Sequence, residues 1–142
     1  MKIHMVTVGK PKLAYAASGW DEYLGRLQHY HQVRVTHLAD KNNNADSLLA
    51  AAGNAYKIAL VIDGKQFTSK ELAEFLDKRA LNGREVCLLI GGPDGLQPEV
   101  IDAADFQMGL SRMTFPHDLA MVILLEALYR ASTVSAGQPY HK

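Results

Sequence analysis

Two short stretches of this 142-residue sequence carry most of its candidate chemistry. The first is LLIGGPDGL, residues 88 to 96, an apolar run stopped at Gly91, Gly92, Pro93, Asp94 and Gly95. Paired glycines let a backbone approach a ligand closely or take a positive φ, and their amides stay free to donate to it. The same residue types also make an ordinary chain reversal in which nothing is bound. The loop alone supports both readings equally. The second stretch is the C-terminal Tyr140-His141-Lys142. A ring that stacks on a base, an imidazole that titrates near neutral pH and a cation that meets phosphate make a usable set of contacts to a nucleotide, although frayed chain ends are the default.

Other chemistries are excluded by what is missing. No G-x-x-x-x-G-K-[ST] cradles a phosphate, no G-x-G-x-x-G follows the first strand, and no G-x-S-x-G elbow presents a serine. The six histidines are scattered; His29 and His31 lack a third ligand at zinc spacing and read as surface residues at a helix end, so no metal is expected. The single Cys87 rules out a disulfide framework and a cysteine-rich metal site. Lys+Arg and Asp+Glu are both 15, a formal net charge of zero, so there is no broad basic footprint and any nucleic acid must be met locally. No stretch approaches the roughly 20 apolar residues of a membrane span, and MKIHMVTVGK has no leader-like apolar region. A soluble, cytoplasmic protein with no membrane partner is expected.

The elements that must position these residues alternate. Lys2 to Val8 and Gln32 to Leu38 read as strands, Ile58 to Ile62 as a short buried strand ending at Asp63-Gly64, Val86 to Ile90 as another, and Asp105 to Leu110 as a weaker one. Helical spacing runs through residues 15 to 30, 45 to 56, a segment opened by Ser69 and stopped at Asn82-Gly83, a short one from Pro98 to about Ala104, and PHDLAMVILLEALYRAS from Pro116. DKNNNADS is a polar loop. One α/β domain over residues 1–142, with a largely parallel sheet flanked by helices, follows. Ligands in such sheets sit beyond the carboxyl ends of the strands, which selects Asp63-Gly64, Gly91 to Gly95, and LSRMTFPHD as the site. The last helix is apolar from Leu119 to Leu125 without a break, with Glu126 and Arg130 spaced to pair on its polar stripe. One of its faces suits the sheet and another suits a second copy of the chain in a two-fold dimer.

LLIGGPDGL, LSRMTFPHDLAMVILLEALYRA and the terminal PYHK, with VTVGK at the start and DEYLGRL in the first helix, closely resemble the RlmH family across the whole chain. These are bacterial methyltransferases of the SPOUT class that act on pseudouridine in large-subunit ribosomal RNA. Phe115 stands where the family often has leucine, Arg112-Met113 fill a variable pair, and the loop at residues 40 to 46 is short. The resemblance implies a C-terminal trefoil knot and a bent S-adenosylmethionine held by Ile62, by Gly91 and Gly92, and by Leu110, Ser111, Arg112, Met113, Thr114 and Phe115. It implies N3 of a pseudouridine as methyl acceptor and the assembled ribosome as partner. Four further positions match the family's reacting end. Arg130 would bind phosphate or the developing uracil oxyanion, Tyr140 would stack on or orient the base, and His141 would take the proton; His117 is the fourth candidate. Each has a plainer reading: His117 caps a helix, and Arg130 only pairs with Glu126. The same fold acting on a transfer-RNA uridine, or a ribosome-binding dimer without catalysis, stays open at this point.

Overall fold

The computed structural model describes residues 1–141, so the expected phosphate contact at Lys142 lies outside the described residues. Five strands, β1 (Lys2–Val8), β2 (Gln32–Leu38), β3 (Tyr56–Lys65), β4 (Val86–Ile90) and β5 (Phe106–Met108), form one sheet in the order β2-β1-β4-β3-β5. Every pairing is parallel, with Ile3 beside Val33 and Val86, and Ile58 beside Leu88 and Phe106. Five helices connect or follow them: α1 (Ala14–Leu27), α2 (Ala45–Ala52), α3 (Ser69–Leu81), α4 (Pro98–Ala103) and α5 (His117–Ser135).

Alternation along the strands splits the core in two. Ile3, Met5, Ile58, Leu88 and Ile90 face α1, α3 and α5, which contribute Trp20, Leu72, Leu76, Met121, Leu124, Leu125 and Leu128. Val6, Val8, Cys87 and Leu89 face α2 and α4, which contribute Leu48, Ala52 and Val100. β4 is buried at every residue, as a central parallel strand covered on both faces should be.

Local sequence explains the starts of two helices. Asn44 caps α2 by accepting from Ser47 N at 2.8 Å. Thr68, and not Ser69, is the N-cap of α3: its hydroxyl accepts from Glu71 N while the Glu71 carboxylate accepts from Thr68 N, a reciprocal capping box. Thr68 wins because Glu71 lies three residues after it, whereas Leu72 lies three after Ser69. The polar loop after β2 also contains more order than expected, a single 3₁₀ turn at Asp40–Asn42.

α5 packs against α1 and α3 of the same chain, while Leu119, Val122 and Ile123 remain partly exposed. One expectation changes. His31 is half-buried and bonded, not a free surface residue. Its Nε2 meets Ser132 Oγ at 2.9 Å, and because that hydroxyl donates to Leu128 O at 2.8 Å, it must accept from His31. Burial pushes the His31 imidazole down to about 4.

Candidate active site

The cleft forms where three backbones meet above the carboxyl ends of β3, β4 and β5. β3 does not run straight to its end. Leu60 and Lys65 both pair with Met108, so Val61 to Gly64 bulge out of the ladder. The bulge carries Ile62 to the surface, 49% exposed. The chain leaving β5 runs against this bulge with no room for side chains: a Cβ on Gly64 would lie 2.4 Å from Met108 C, and one on Gly109 would lie 2.9–3.0 Å from the carbonyl oxygens of Gly64, Ile62 and Val61. Only two glycines permit that crossing.

The loop after β4 closes on itself. Gly95 N donates to Gly92 O at 2.9 Å, and Gly95 takes φ 82°. A Cβ on Gly91 would strike Gly95 C at 2.4 Å, so Gly91 is bare because of the turn's own geometry. A Cβ on Gly92 would point to Asn43 Nδ2 at 3.3 Å and Val8 Cγ1 at 3.6 Å, behind the wall and away from the cleft. Neither glycine has a positive φ. The turn itself thus accounts for the bare backbone at Gly91, and the same turn offers that backbone as one wall of a cavity.

That cavity holds about 260 Å³. Its walls include Ile62, Gly91 to Gly95, Leu110, Ser111, Met113, Thr114 and Phe115, each named from the sequence, together with Leu60, Ile90 and Ala120, which were not. Arg112 is the exception. It lines an adjoining open groove of about 920 Å³ shared with Asp63, Lys65 and Gln66. Ile62, Ser111 and Met113 border both spaces, so cleft and groove are neighbours.

His117 also lines the cleft. It does not cap α5, whose N-cap is Pro116 with no side-chain bond. Its Nε2 donates to Val8 O at 3.1 Å, which leaves Nδ1 as the acceptor in the neutral ring. Next to it, Asp118 accepts the backbone amides of Lys12 and Leu13, each at 2.7 Å. These two bonds fasten the turn after β1 to the start of α5, and no sequence pattern marks either.

The other three reacting candidates gather elsewhere. Arg130 stands 13 residues after His117 on the same helix, about 20 Å away at 1.5 Å per residue. Its guanidinium donates to Glu126 Oε1 at 2.6 and 2.8 Å and lies 4.8 Å from the Tyr140 ring centre. The chain after α5 folds back in a 3₁₀ turn, Pro139–His141, so that Tyr140 packs edge-on to Tyr129 at 4.7 Å and its hydroxyl sits 3.4 Å from Tyr23 and Glu126. The Arg26 guanidinium faces the rings of Tyr23, Tyr129 and Tyr140 at 5.5 to 5.9 Å. Burial first, then the Tyr23 hydroxyl, pushes the Tyr140 phenol up to about 12. His141 is exposed. Among the described residues, no three His, Cys, Asp or Glu side chains are grouped to hold a metal ion, and no helix is long and apolar enough to cross a membrane.

The family model described as "Predicted SPOUT methyltransferase" matches residues 1–141. The chain belongs to the SPOUT methyltransferases. It is 51% identical to "Ribosomal RNA large subunit methyltransferase H" of Deinococcus radiodurans, over 100% of this chain and 99% of that protein. It is 39% identical to the protein of the same name from Clostridioides difficile, over the full length of both. Solved structures give the fold independently. TrmJ from Z. mobilis superposes with a TM-score of 0.55 at 11% identity, over 92% of this chain and 70% of that one. A tRNA methyltransferase from Aquifex aeolicus gives 0.54 at 15%, over 90% and 68%. At such identities the likeness is one of architecture: a parallel sheet flanked by helices with the cleft of this SPOUT methyltransferase at its carboxyl edge.

Proposed function

We propose that this chain, as one domain, transfers a methyl group from S-adenosylmethionine to N3 of a pseudouridine in large-subunit ribosomal RNA, in the cytoplasm, on the assembled ribosome and as a homodimer. The observation that carries the reading is the glycine-walled cleft above β3, β4 and β5, in a chain that matches large-subunit ribosomal RNA methyltransferases from end to end.

The cleft suits the donor chemically. Ile62, Leu110 and Phe115 offer apolar surface to an adenine ring, while the turn at Gly91–Gly95 and the 110–115 loop offer backbone donors and acceptors to its polar edge. When bound, the donor supplies a methyl group already made electrophilic by a positive sulfur. The close passage of Gly109 against the β3 bulge fits the C-terminal trefoil knot of the family.

The protein's remaining work is to place the base and remove the imide proton. Tyr140 keeps its phenol proton at neutral pH, which fits it to orient a base as a donor and stacking partner, not to act as a base itself. His141 is exposed and takes the proton, directly or through water. Arg130 meets phosphate or the uracil oxyanion with the part of its guanidinium that Glu126 does not use. His117, fixed by Val8 O, presents Nδ1 at the donor end. The roughly 20 Å between His117 and Arg130 along α5 supports a site completed across two subunits, with one cleft served by the partner's tail. Titration calorimetry of the purified protein with S-adenosylmethionine, followed by mass mapping of large-subunit RNA from cells with and without the gene, tests this. One donor per chain and one methylated pseudouridine are expected; a folded protein that takes up no donor would be a binding protein only.

A further inference from the structure

Residues 40–44 lie behind the glycine wall of the cleft. The segment is held firmly: Asp40–Asn42 form a 3₁₀ turn, Asn43 N donates to Asp40 O at 3.1 Å, and the Asn44 side chain caps α2. From this base the Asn43 side chain reaches the back of Gly92, where its Nδ2 would lie 3.3 Å from a Cβ. Gln97, the N-cap of α4, immediately follows Gly91–Leu96 and closes the other side. Its Nε2 donates to Asn43 O at 2.8 Å and to Asn43 Oδ1 at 2.9 Å. A backbone carbonyl only accepts, so the Gln97 amide must present its nitrogen there, and Asn43 must present oxygen to Gln97 and nitrogen to Gly92. Both amides thus have a single orientation. Gln97 Oε1 is buried without a protein partner among the described residues.

We propose that Asn43 and Gln97 form an amide brace that fixes how far the Gly92 wall stands into the cleft, and thereby sets the affinity of the cleft for its ligand. Both are positioning residues: neither lines the cavity, and both act through the backbone of Gly91–Gly95. The inference rests on the reading that the methyl donor occupies this cleft. Because a methyl at residue 92 and the Asn43 amide compete for the same space, the two positions must be coupled.

The test is a double-mutant cycle of wild type, N43A, G92A and N43A/G92A, read by calorimetric titration with S-adenosylmethionine. N43A lets the wall sag backwards and weakens donor binding about tenfold. G92A drives the wall forwards, off Nδ2, and weakens it to a similar degree. In the double variant the new methyl occupies the vacated space and affinity returns to within about threefold of wild type. Q97E, which keeps the shape but loses both donated bonds, behaves like N43A. Amide exchange at Gly95, whose N–H is held by Gly92 O, is faster in N43A and restored in the double variant. Additive losses, or an N43A affinity within about twofold of wild type, would overturn the brace. Failure of the wild type itself to take up donor would instead refute the reading of the cleft; unchanged Gly95 exchange in N43A would then still overturn the brace.

Discussion

Gly91 and Gly92 are neighbours with different reasons for lacking a side chain, and they separate in experiment. In G91A the new methyl collides with the Gly95 backbone, so the variant loses roughly 1–3 kcal/mol of stability, visible as a lowered Tm with or without ligand. G92A meets only Asn43 and Val8 at 3.3 and 3.6 Å, keeps a Tm close to wild type, and shows its defect in donor affinity. Equal Tm losses at the two positions would contradict this assignment. His31 yields a pH prediction. Its folded value, about 4, is below the ordinary 6.5, so the unfolded chain takes up the proton first as pH falls. The stability it contributes is complete above about pH 6.5 and drains away towards pH 4. His4 and His37 are lowered in the same sense, also by burial, so the informative quantity is the difference between wild type and H31Q in thermal melts across that window. A difference that does not vary with pH would show that His31 titrates normally. None of this was visible in the letters: His29-x-His31 looks like a polar helix end, and only the third dimension brings Ser132 to it.

Helix α5 joins the two halves of the chemistry, with His117 in the cleft at its first residue and Arg130 beside the folded-back tail. Removal of residues 140–142 should abolish methyl transfer while leaving donor affinity unchanged, since Tyr140 packs on Tyr23, Tyr129 and Arg130 and neither it nor His141 is a wall of the cavity. An active truncated enzyme, or one that no longer binds donor, would break that division. T68A, by contrast, removes a cap remote from the site and should cost about 1 kcal/mol with kcat intact. The contrast shows what element-level patterns can reveal. Strands β1, β2 and β4 announce themselves through β-branched runs bounded by turn residues, and their limits agree with the structure to the residue. The bulge at Val61–Gly64 does not, because it depends on the register of β3 against β5, a partnership between segments over 40 residues apart. The placement of Arg112 on the groove is illegible for a related reason: a run of loop residues carries no sign of which ones turn inward.

At the level of the whole molecule, the cleft was legible because the rule about carboxyl ends of parallel strands selects three loops, two of them glycine-containing, that converge on one edge. The separation of cleft and tail was not, since it follows from the length and direction of α5. If two subunits complete each site, a cleft-defective variant mixed with a tail-defective one should regain about a quarter of the wild-type sites after random exchange, and sedimentation should show dimers at micromolar concentration. Full activity from a monomer would refute both. A neutral chain also releases few counterions on binding RNA, so affinity for the ribosomal substrate should fall only shallowly with salt; a steep log–log slope would point to grip on free RNA. The position of α5 carries one more implication, in the time the chain takes to be made. Met121, Leu124, Leu125 and Leu128 close the sheet face formed by Ile3, Met5 and Leu88, yet they are synthesised after every strand. At roughly 5–20 residues per second, a nascent chain that has finished β5 waits on the order of seconds with that face still wet. Chains arrested before residue 117 should be captured by chaperones or aggregate, and chains released past residue 135 should not.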